Sequence, residues 1–253
     1  MLYYYFVIVY FSFFNVNLIR RNLPYVLFAV PYITPCKPSD TPCMISSAHS
    51  ALENLWRGVP EFGVPILDPL EIGSLRNDDK DLKLGFRNMK VHGPSKFFVI
   101  LNYFMCCRRE LYNSTISLTL ECPLRATGQY DLKGKILFIE AYGDGDFDIK
   151  TNRVKIYLTP KIKTIEDSAG VKHWKIKSFD YSYDLVEIVD IQLYNLFGGD
   201  ETRAKPILEV INHSWKEMVM EIGGPIIKQL LDKGIHIVNK FFSAVPVDDL
   251  AIV

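Results

Sequence analysis

Asp144, Asp146 and Asp148 stand at alternate positions, which is how a calcium-binding loop begins. Such a loop also needs a glycine and a bidentate glutamate further on, and Ile149 and Lys155 occupy those places, so a solvated turn is the expectation. Gly143 and Gly145 lack the third glycine and the following helix of a dinucleotide site. No Gly-x-Ser-x-Gly stretch offers a nucleophile elbow. His49, His92, His173, His213 and His236 are scattered without ligand spacing, and no Cys-x-x-Cys or His-x-x-x-His pair supplies a zinc site. These residues imply no catalytic constellation, no metal and no cofactor, so an enzyme is not the expectation.

The cysteines suggest stapling instead. Cys36 and Cys43 close a short proline-rich loop, and in an oxidising compartment their pairing would contribute about 2–3 kcal/mol. Two free thiols or half of a metal site are the weaker readings. Cys106 and Cys107 are adjacent in a strand-like stretch and face opposite sides. Cys122 can meet one of them only if a hairpin turn centres near Asn113–Ser114; free buried thiols are the equal alternative. Asn113-Ser114-Thr115 is a glycosylation acceptor at that turn. Asn212-His213-Ser214 also matches, but a mid-helix site beside Trp215 is a poor acceptor.

The elements that must carry these residues follow from patterning. Lys+Arg and Asp+Glu both number 29, and no basic cluster stands out, which argues against a nucleic-acid partner. Hydrophobic content of 49% with 23% charged residues fits a folded globular chain. Leu2 to Ile19 is almost wholly apolar and reads as a secretory signal or a retained anchor, giving residues 1–30 as a hydrophobic leader and 31–253 as one domain. Met44 to Trp56 reads as a short helix. Three prolines between Val59 and Ile72 predict an extended crossing segment.

Strands are expected at Leu82–Val91, Lys96–Cys107 and Thr115–Pro123, the last with Ile116, Leu118, Leu120 and Cys122 on one face. Gly128 to Ile139 reads as strand, glycine turn and return strand. Val154–Ile165 and Val171–Tyr183 form a hairpin, and Leu185–Leu193 is a further strand. From Pro206 to Val245 apolar residues recur at steps of three and four, the signature of a long helix kinked at Gly223-Gly224-Pro225. The class is α+β: a short N-terminal helix, then a curved antiparallel β-sheet with a long C-terminal α-helix on one face.

Several motifs then coincide in order. They are Pro35-Cys36 with Asp40 and Cys43, Gly58-Val-Pro-Glu-Phe-Gly-Val-Pro-Ile-Leu-Asp-Pro-Leu70, Ala126-Thr-Gly-Gln-Tyr130 with Gly134-Lys-Ile-Leu137, and Gly143-x-Gly145. After them come Asn195-Leu-Phe-Gly-Gly-Asp200, Asn212-x-x-Trp215-Lys-Glu217 and Phe242-Ser-Ala-Val-Pro246 with Asp248 and Leu250. Over roughly Pro31 to Leu250 the chain resembles the insect takeout and juvenile-hormone-binding-protein family, part of the wider tubular lipid-binding group. The resemblance implies a long helix wrapped by a strongly curved antiparallel sheet, and a secreted, extracellular carrier. The implied ligand is small, elongated and hydrophobic, a terpenoid or a fatty-acid-like molecule. The hormone-binding branch ties its long helix to the sheet by a second disulfide. No cysteine follows Cys122 here, so the chain is closer to takeout-like members.

An apolar tunnel would hold its ligand by burial, at about 25 cal/mol per Å² of apolar area. Expected lining residues are Trp215, Met218, Ile222 and Ile226 on the helix with Phe104, Leu118, Phe138 and Tyr157 on the sheet. Tyr157 is the expected polar handle, because a buried phenol needs a partner. Two other readings stay open. One is an interaction protein of the same fold with a filled cavity and a protein receptor; the other is a membrane-anchored lipid-transfer module, if the leader is retained.

Overall fold

In a computed structural model the described residues are 30–37, 40–79, 81–96, 98–105, 114–136 and 139–252, and the fold is that of the unit Pro31–Val253. Asp40 caps the first helix, α1 (Thr41–Leu55), by accepting the Cys43 amide at 3.0 Å. The proline-rich stretch is not simply extended. Pro60–Phe62 forms a 3-10 turn, and Val59 bridges Val64 beyond it.

Seven antiparallel strands follow among the described residues: β1 (Leu70–Asp78), β2 (Leu82–His92), β3 (Phe98–Met105), β4 (Ser114–Ile136), β5 (Ile139–Glu166), β6 (Lys172–Leu185) and β7 (Val189–Leu193). Their order is β1-β2-β4-β5-β6, with β3 also on β4 and β7 also on β5. The long β4–β5 pair is the spine. One half of it carries β2 and β7, the other half β3 and β6.

Two expectations fail here for the same reason. Gly134 is no turn, since β4 runs on to Ile136, paired with Ile139. Gly134 instead lets β2 approach, because a Cβ there would stand 2.1 Å from the Asp81 carbonyl oxygen. Asp144, Asp146 and Asp148 likewise lie in β5 and not in a turn.

α4 (Gly224–Ala244) follows α2 (Glu201–His213) and α3 (Trp215–Glu221). The expected single helix is therefore three segments, and it starts before Pro206. Asp200 caps α2 through the Thr202 and Arg203 amides. Ser214, at φ −102° and ψ 31°, interrupts the helix once. The Gly223–Gly224–Pro225 break comes second, with proline in the first turn of α4, where no amide is needed.

The sheet curls around this helix. β1 and β6 end the strand path, yet α4 touches both. Gln229 Nε2 donates to the Arg76 carbonyl of β1 at 2.9 Å. Asn239 takes the Ile176 amide of β6 at 2.8 Å and returns a bond to the Ile176 carbonyl at 3.1 Å. On α2, Asn212 does the same for Ile191 of β7, both bonds at 2.8 Å. Three side-chain amides thus occupy backbone groups that open edges would leave bare. No helix among the described residues is long and apolar enough to cross a membrane. The leader read as signal or anchor lies outside the described residues.

Candidate functional site

One set of motif residues gathers at the β4–β5 end and proves to be scaffolding. Tyr130, wholly buried, donates its hydroxyl to the Tyr194 carbonyl at 2.9 Å. Burial, with Asp144 nearby, pushes its phenol up to about 12. A Cβ on Gly145 would stand 2.3 Å from that same carbonyl oxygen, and one on Gly143 2.5 Å from the Tyr130 hydroxyl. The Gly-x-Gly pair therefore exists to admit the Tyr194–Leu196 backbone, not a phosphate. Asn195, at φ 59°, donates to the Asp144 carbonyl at 2.7 Å. Two of the calcium-like aspartates are committed to arginines: Asp144 to Arg87 at 2.8 Å and Asp148 to Arg125 at 2.6 Å. Among the described residues no group of acids, histidines and cysteines is arranged to hold a metal.

The helix-facing side of the sheet is different. Strand register stacks Leu118, Leu158 and Tyr181 in one row and Leu120, Ile156 and Tyr183 in the next. Phe179 follows opposite Pro160. Leu118, Leu120, Phe179, Tyr181 and Tyr183 are only half-buried, although they pack against the core. The facing helix matches them. On α4 only Ile226 and Phe241 are buried, while Ile227, Leu230, Leu231, Ile235 and Ile237 between them are half-buried. Ile226 belongs to the main buried cluster and Phe241 lies outside it. Between those two anchors an apolar stretch of helix faces an apolar, aromatic wall, and both remain reachable by solvent.

Of the residues expected to line a tunnel, Met218 and Ile226 are buried core. Leu118, Trp215 and Ile222 are half-buried against it. Tyr157 does not fit its expected role. Alternation along β5 puts it on the face away from Ile156 and Leu158, and it is 39% exposed. Phe104 is described only by its backbone pairing with Ile116, and Phe138 lies outside the described residues.

Missed by the sequence reading were Phe179, Tyr181 and Tyr183. Their period of two was available, and it places three aromatics on the helix side of β6. Tyr183 supplies the phenol that Tyr157 does not, with its hydroxyl 3.5 Å from the Val219 carbonyl; burial pushes it up, with Tyr181 adding to the effect.

Cys36 and Cys43 are disulfide-bonded. Cys122 is free and buried just past the Glu121–Phe98 pair, whereas the other end of β3, Met105, meets Thr115. Cys106, Cys107 and the Asn113 acceptor lie outside the described residues.

The family model for haemolymph juvenile hormone binding protein (JHBP) matches residues 16–252. Circadian clock-controlled protein daywake of Drosophila yakuba is 21% identical over 214 residues, covering 81% of this chain and 82% of that protein. The Drosophila melanogaster protein of that name is 22% identical over 216 residues, with the same coverage. Takeout 1 of Epiphyas postvittana has this fold, with a TM-score of 0.79 at 24% identity over 87% of this chain and all of that one. With a curled sheet around a C-terminal helix and a match over nearly its whole length, the chain belongs to the haemolymph juvenile hormone binding protein family.

Proposed function

We propose that the protein is a secreted carrier of a small, elongated hydrophobic ligand, terpenoid or fatty-acid-like, held between α4 and the curved sheet. The observation that carries this reading is the apolar yet half-buried stretch of α4 between Ile226 and Phe241. A filled core would bury those side chains; here their apolar area is left for a ligand to cover. Leu118, Leu120, Phe179 and Tyr181 form the opposing wall, with Trp215 and Ile222 at the α3 end. Tyr183 is the polar group nearest to hand for a ligand oxygen. Membership of a family of hydrophobic-ligand carriers supports the same reading. The Cys36–Cys43 disulfide supports an oxidising, extracellular compartment.

Displacement of a fluorescent apolar probe by panels of terpenoids and fatty acids tests the proposal. A compound that competes should do so less well against Tyr181→Ala and Leu230→Asp proteins. Failure of every compound to displace the probe from folded wild-type protein would overturn it.

A further inference from the structure

Another side of α4 carries different chemistry. His236, Lys240 and Ser243 recur at steps of four and three and are exposed, apart from the side marked by buried Ile226 and Phe241. Together with Glu61 and Phe62 of the 3-10 turn and Lys175 of β6, they line a cleft of about 470 Å³. That is within the usual size range of small-molecule sites.

The side-chain amide and hydroxyl in the cleft are already engaged. Asn239 uses its amide on Ile176, and Ser243 Oγ donates to the Asn239 carbonyl at 2.7 Å. What remains open is charge. Among the described residues neither Lys175, Lys240 nor Glu61 forms an ion pair, whereas Lys161 on the neighbouring strand reaches Asp180 at 3.1 Å. Lys175 also stands opposite Lys163 in the β5–β6 register, a like-charged pair with no ion-pair partner among the described residues. The apolar part of the cleft is held firmly, since Phe62 packs edge-on against Phe241 with centroids 5.8 Å apart.

We propose that this cleft binds the oxyanion of a small amphiphile, a carboxylate or phosphate held between Lys175 and Lys240, with a short apolar body on Phe62. The site is separate from the apolar stretch facing the sheet. Glu61 works against it, which makes the proposal directional: losing the lysines should weaken binding and losing the glutamate should strengthen it.

The test follows the His236 ring resonance of the intact protein by NMR during titration with octanoate, octyl phosphate and inorganic phosphate. Octanoate and octyl phosphate separate the two head groups, and inorganic phosphate is too polar to enter the apolar space beside the sheet. The expected result is a saturable shift with at least one amphiphile, tighter than with inorganic phosphate. A Lys175→Gln/Lys240→Gln protein should bind about tenfold more weakly and Glu61→Gln more tightly. These side chains are at the surface, and an unchanged circular dichroism spectrum confirms each variant as folded. No shift with any of the three probes, an undiminished affinity in the double variant, or weaker binding by Glu61→Gln would each overturn the proposal. Because the readout is local to His236, its failure leaves probe displacement at the helix–sheet space untouched, and the reverse holds too.

Discussion

Asn212 and Asn239 decide more than their size suggests, because each offers a donor and an acceptor to one backbone unit of an open strand. Replacing either by alanine leaves a part-buried amide and carbonyl unsatisfied, at a cost of about 1–3 kcal/mol. Urea unfolding of Asn212→Ala and Asn239→Ala should show it, and a loss under a few tenths of a kcal/mol would contradict the role. The same geometry disfavours a sugar on Asn212, since it would replace one of the two Nδ2 hydrogens that bond the Ile191 and Leu208 carbonyls. Mass spectrometry of the protein expressed in insect cells should find no glycan there.

Titration gives a second prediction at this scale. Burial raises the Cys122 thiol from 9.0 to about 12, with Glu121 adding to the effect. The folded chain therefore keeps a proton that the unfolded chain releases, so this contribution is complete below pH 9 and is lost as pH rises towards about 12. Tyr130, raised from 10.0 to about 12, acts in the same direction a little later. Stability should fall on the alkaline side, and Cys122→Ala together with Tyr130→Phe should flatten that fall in denaturation series from pH 8 to 11.

At the scale of elements, the strands and helices that kept their period were legible and those that broke it were not. β5 from Val154 to Ile162 and β6 from Phe179 to Leu185 alternate cleanly, and the expected hairpin matches them. β1 escaped notice because Ile72 and Leu75 are three apart, with the ladder shifting register on both sides of Gly73 at φ 78°. The glycines of β4 and β5 misled in the other direction. Punctuation in sequence reads as a turn, whereas here it marks close approach to another backbone. Gly145→Ala measures that difference. In a turn the change would be mild, but beside the Tyr194 carbonyl it should cost about 1–3 kcal/mol and lower the melting temperature. The helix breaks divide the same way: Gly223-Gly224-Pro225 announces itself by residue type, while Ser214 does not. For the site, the apolar stripe of the helix was visible in its steps of three and four, but the expected lining ended at Ile226, where the half-buried stretch begins. The aromatic wall of β6 was not picked out, and Tyr157 was placed on the wrong face. Both depend on which way a strand is turned once it pairs, and periodicity alone leaves that phase free.

For the molecule as a whole, the curl of the sheet is held from within by the segmented helix α2–α4, and the chain also closes on itself. Cys36 pairs in parallel with Ala251, and the Ile252 amide reaches the Cys36 carbonyl at 3.0 Å. The disulfide to Cys43 therefore anchors the last residues as well as the first helix. Replacing both cysteines by serine should cost about 2–3 kcal/mol and raise hydrogen exchange at Ile252. That closure also makes the order of the chain partly arbitrary. Residues 36 and 252 are neighbours, so a short glycine–serine linker could join them while new ends open in the Asp167–Gly170 turn between β5 and β6. Such a circularly permuted chain should keep the fold and any carried ligand. Its new ends would still lie beside the C-terminal segment, because His173 stands 3.6 Å from Asp167 and 3.1 Å from the Val245 carbonyl.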